Sequence, residues 1–96
     1  MSLKARLSKL KTSTVEVRGE TIEVVEITAG QRESLIPMFK DAPVSAMRHV
    51  CAMCAMEDGS PVWTPEEAES LPSDVVDAVA TEALRISGMD DASPND

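Results

Sequence analysis

The sequence predicts a mainly α-helical fold with a small amino-terminal β-hairpin, an α+β domain of about four helices. Three observations carry that expectation. Residues 14–27, TVEVRGETIEVVEI, alternate apolar and polar side chains around Arg18-Gly19-Glu20, the pattern of two half-buried strands and a turn. Further along, apolar residues return with helical spacing. Two segments, Thr28 to Gln31 and Thr64 to Glu67, carry the spacing of a capping box, in which each side chain satisfies a backbone N–H of the first turn.

Taken in order, residues 1–13 form a basic arm. Leu3, Leu7 and Leu10 fall at i, i+4 and i+7, with Lys4, Arg6, Lys9 and Lys11 between them, so the arm reads as a short amphipathic helix. A helix this short is marginal alone and needs something to dock on. The hairpin of 14–27 follows, and the parity shift at Val24-Val25-Ile27 points to a bulge or a two-sided strand end.

Thr28 opens a helix over about 29–37, with Leu35 and Ile36 on its apolar side. Pro37 removes a backbone donor and is expected to end or kink it. A second helix is expected over 43–56, with Pro43 at its first position and Val44, Met47, Val50, Cys51 and Cys54 on one face. Ala46, Ala52, Met53 and Ala55 make it apolar nearly all round, the expected centre of the domain.

Glu57-Asp58-Gly59-Ser60-Pro61 is a turn by composition, and Val62-Trp63 a short buried extended piece. Thr64-Pro65-Glu66-Glu67 starts a helix over 65–71, with its acids at the positive end of the dipole. The last helix is expected over 73–87, with Val76, Val79, Ala83 and Ile86 inward and Gly88 as a left-handed cap. Residues 89–96 are expected to be a disordered acidic tail. One domain, 14–88, therefore carries the fold.

Composition bounds what the chain does. Ninety-six residues make one domain, and Leu, Ile, Val and Phe account for only 21 of them, so the core is thin. The net charge of −8 argues against a general affinity for nucleic acid. Residues 1–18 hold five basic groups and one acid, and residues 57–96 hold one basic group and eleven acids. The basic arm of one copy and the acidic half of the next are therefore expected to attract, through Leu3, Leu7, Leu10, Lys4 and Lys9, giving a homo-oligomer. No apolar run is long enough to cross a membrane, and the first residues lack a secretory signal.

Candidate chemistry is sparse. Cys51 and Cys54 have the spacing of a redox or zinc pair, but both lie deep in a predicted helix with no second pair, so packing is the simpler role. His49 is the only histidine and lacks a positioned partner. Glu66, Glu67 and Glu69 lack the spacing of a calcium loop. No catalytic residue, cofactor or metal is expected. Met38, Phe39, Met47 and Met53, with Trp63, form the candidate partner-binding surface, since methionine repacks around varied side chains.

The order of elements resembles the small tail assembly chaperones of long-tailed bacteriophages. The likeness covers about residues 13–89: a hairpin ending in Ile27-Thr28-Ala29-Gly30-Gln31-Arg32, a small-residue helix running into Met56-Glu57-Asp58-Gly59-Ser60-Pro61-Val62-Trp63, then Thr64-Pro65-Glu66-Glu67, Leu71-Pro72 and a last helix ending at Gly88-Met89. The resemblance implies a protein of the bacterial host cytoplasm that coats the tape measure protein, contacts tail tube subunits and is absent from the finished virion. Two other readings compete: a small acidic regulator of a basic partner, and a metal or redox module built on Cys51 and Cys54.

Overall fold

The computed structural model describes residues 2–89. The fold class is the expected one, with a larger sheet. The chain runs α1 (Leu3–Leu7), β1 (Thr12–Val17), β2 (Glu20–Val25), α2 (Ala29–Asp41), α3 (Pro43–Cys54), β3 (Ala55–Glu57), β4 (Ser60–Pro61), α4 (Pro65–Ala68) and α5 (Ser73–Ile86). The four strands form one antiparallel sheet in the order β1-β2-β3-β4.

Both hairpins turn through two consecutive residues of positive φ, Arg18 at 55° and Gly19 at 80°, then Asp58 at 52° and Gly59 at 82°. That conformation matches the right-handed twist of the strands it joins, and Asp-Gly is among its preferred pairs. The second turn was legible, but the two strands it joins were not. Met56 was expected to end a helix and instead pairs with Glu23 and Pro61. Helix α3 stops at Cys54 because Ala55 takes an extended conformation and pairs with Val24.

The first hairpin begins earlier than expected, at Thr12, and its register is unbroken from Thr12↔Val25 to Val17↔Glu20. No bulge interrupts it. Val15, Val17, Ile22 and Val24 point to the covered face, and the parity shift comes after the strand, where Ile27 turns inward and is buried.

Pro37 does not end α2, which runs on to Asp41. The bond it forgoes is to the Glu33 carbonyl, and Glu33 and Pro37 are both exposed, so water can serve that group. Leu35 before the proline is fully buried, and Met38 and Phe39 after it pack on the core. Burial on both sides holds the helix together. Ile36 was expected to share that apolar side, yet it is 55% exposed. Val44 likewise leaves the buried face expected of it and is 70% exposed.

The expected caps are present. Thr28–Gln31 and Thr64–Glu67 each form the reciprocal capping box. Helix α4 is shorter than expected, and residues 69–71 wind on as a tighter turn with bonds from Glu69, Ser70 and Leu71 back three residues. At the end of α5, Gly88 adopts φ 72°, its N–H reaches the Arg85 carbonyl, and the Met89 N–H reaches the Leu84 carbonyl at 2.8 Å. Those two bonds define a Schellman cap. Met89, expected to begin the tail, is buried by it. The rest of that expected tail, residues 90–96, lies outside the described residues.

Helix α3 is the centre, packed on α2, α4 and α5, with Ala46, Val50, Cys51, Ala52 and Cys54 buried. Helix α5 joins it to the sheet through Val76, Val79, Ala80 and Ala83. Polar bonds fix the direction of α5 along the hairpin. Arg18 in the first turn pairs with Asp74, Ser13 donates to Glu82, and the Ile27 N–H donates to Ser87 Oγ at 2.7 Å. Helix α5 therefore runs antiparallel to β1. The arm helix α1 forms, capped by Ser2, but none of its residues is buried.

Candidate functional site

Among the described residues, Leu71 lines two apolar grooves that open on the surface. The first, of about 260 Å³, lies where the turn end of the sheet meets the start of α5, and its floor is Val17, Ile22, Val62, Trp63, Leu71 and Val75. Arg18, Glu20 and Glu57 stand around it. Trp63 is held there by what precedes and follows it. The Val62 N–H donates to the Ala55 carbonyl at 3.1 Å, which keeps the chain against β3. One residue after Trp63, Thr64 accepts from the Glu67 N–H at 3.1 Å, and Glu67 accepts from the Thr64 N–H at 2.9 Å. Trp63 is half-buried between a turn and a capped helix and packs on the core.

The second groove, of about 240 Å³, lies between α3, α4 and α5. Val44, Met47, Ala68, Leu71 and Val76 line it, with Arg48, Glu69 and Asp77 at its edges. Arg48 is turned back along its own helix, its Nη2 donating to Ser45 Oγ at 3.0 Å.

The five residues expected to grip a partner are all half-buried and packed on the core. The structure does not gather them into one patch. Trp63 lines the first groove and Met47 the second, while Met38 and Phe39 on α2 and Met53 on α3 line neither. Sequence reasoning missed Leu71 and Val44. A lone leucine between Ser70 and Pro72, in a segment otherwise polar, was the available signal for the first. Nothing local marked Val44, because its exposure depends on how α3 is rotated against its neighbours. Leu3, Leu7 and Leu10 are 63%, 76% and 41% exposed, with Lys4 and Lys9 exposed beside them.

Cys51 and Cys54 are fully buried and unpaired. Burial pushes the Cys51 thiol up to about 11 and the Cys54 thiol to about 12, the latter helped by its neighbour. Thiols so far from ionising are poor nucleophiles and poor metal ligands at neutral pH. Among the described residues, no three His, Cys, Asp or Glu side chains gather to hold a metal ion. His49 Nδ1 donates to the Ser45 carbonyl of its own helix at 3.0 Å.

Both grooves are apolar, and each is edged by three charged side chains. A lining of this kind suits the apolar side chains of another chain. No helix among the described residues is long and apolar enough to cross a membrane. Comparisons with protein families, with curated proteins and with solved structures find no match for this chain.

Proposed function

We propose that this chain is a tail assembly chaperone of a long-tailed bacteriophage, which binds the tape measure protein, and also tail tube subunits, in the host cytoplasm. The observation that carries the reading is the Trp63 groove: a fixed, half-buried indole among five aliphatic side chains, on a chain of net charge −8. A long helical client presents apolar stripes that associate with each other unless covered. An apolar groove covers such a stripe, and a high net charge keeps the complex dissolved. The order of elements that resembles this family supports the same reading.

Trp63 is the only tryptophan, so its fluorescence reports on the groove directly. Titration with a tryptophan-free segment of the tape measure protein should shift its emission to the blue and protect it from acrylamide. The complex should survive moderate salt, because apolar contact dominates. Binding that vanishes as salt rises would favour the acidic regulator instead.

A further inference from the structure

We propose that the arm of one copy, residues 2–10, docks in the Val44–Met47–Leu71–Val76 groove of a second copy, linking copies head to tail. This inference is independent of any client. It starts from a mismatch within the chain. The arm has an apolar stripe of three leucines, and its own fold buries none of them. A helix of five residues is too short to persist without a surface to lie on.

The arm does not line its own groove, and Leu3 and Leu7 stay 63% and 76% exposed. The arm leads into β1 at Thr12, and Ser13 lies against Glu82, about one and a half turns along α5 from Val76 and Asp77. The tether at Thr12 fixes where the arm leaves its own body. A second copy has no such constraint.

Charge selects the same partner. Lys4, Arg6, Lys9 and Lys11 surround the arm's leucines. The groove edge carries Glu69 and Asp77, and residues 57–84, which supply α4 and the front of α5, contain eight acids and neither Lys nor Arg. The one basic group at the groove, Arg48, is occupied with Ser45. A leucine stripe edged by lysines thus meets an apolar groove edged by carboxylates. Because the two surfaces differ, each copy keeps one of each unused, and the contact propagates into rings or open helices.

Complementation between two variants tests this, with light scattering as the readout. The first, L3S/L7S, spoils the arm and leaves the groove. The second, V44D, spoils the groove and leaves the arm, and it should fold because Val44 is 70% exposed. Circular dichroism checks that both keep the wild-type fold. Wild type should grow with concentration, each variant alone should associate about tenfold more weakly or worse, and an equal mixture should form a dimer that grows no further. Three results would overturn the proposal: a wild type that stays monomeric at high concentration, a mixture that stays monomeric, or a V44D variant that still assembles. The last would mean that arms pair with arms.

Discussion

Arg18 and Asp74, 56 residues apart in the chain, meet in a two-pronged ion pair: Nε and Nη2 of the arginine each lie 2.9 Å from a carboxylate oxygen of the aspartate. The pair fastens the first hairpin turn to the first turn of α5, at the edge of the Trp63 groove. It raises the arginine's pKa and lowers the carboxylate's, chiefly through the hydrogen bonds themselves. Both side chains are more than half exposed, so salt screens the attraction. R18Q should lower Tm slightly in dilute buffer, and the difference from wild type should close at about 1 M salt, where the screening length falls to about 3 Å. R18N should be more stable than R18Q, because asparagine accepts the positive φ of 55° more readily. Thermal melts at two ionic strengths read both effects.

Glu82 makes stability depend on acid. Its hydrogen bonds with Arg85, and then with Ser13, bring its pKa down from 4.5 to about 2. The folded state therefore holds this carboxylate ionised where the unfolded chain protonates it. That contribution is fully present above about 4.5 and is lost as pH falls toward 2. E82Q should be less stable than wild type at neutral pH and should lose less stability between pH 5 and pH 3. Denaturant titrations at several pH values check it, and parallel curves for the two proteins would count against the Ser13–Glu82–Arg85 arrangement.

The two faces of α2 should respond unequally to mutation. Leu35 is fully buried, so L35A should cost about 2–5 kcal/mol, a large share of a small domain's stability. Ile36 is 55% exposed, and I36S should stay within about 0.5 kcal/mol of wild type. Equal losses would mean that the helix is rotated from the orientation described.

The thiols should be silent until the chain unfolds. With Cys51 raised to about 11 and Cys54 to about 12, neither should be alkylated by iodoacetamide at pH 8 in the native protein, and both should react in denaturant. Replacing both with alanine should cost about 1–2 kcal/mol of packing. Stoichiometric zinc abolished by that change would revive the metal reading.

Local chemistry was readable in the sequence, and long-range pairing was not. Thr64-Pro65-Glu66-Glu67 and Gly88 predicted a helix start and a helix end because the bonds involved span only a few residues. Strands β3 and β4 are three and two residues long, and they exist because Ala55 finds Val24, 31 positions earlier. No period can show in so short a run. Pro37 misled for a related reason: a local penalty was outweighed by the burial of Leu35, Met38 and Phe39 against distant elements. The grooves belong to the same class. Leu71 lines both only because α4 and the sheet end approach α5 from different directions, and Met47 and Trp63, singled out together, lie in separate grooves.

The chaperone reading stands or falls on solubility. The most direct measurement is to express a candidate tape measure protein from the same genome, alone and together with this chain, and weigh the soluble fraction. Alone, the client should pellet. With the wild-type chain it should remain in solution and copurify. With a W63S variant shown by its melt to be folded, much of that protection should be lost, whereas L3S/L7S should still bind client. A client that pellets equally with and without the folded wild-type chain would contradict the account.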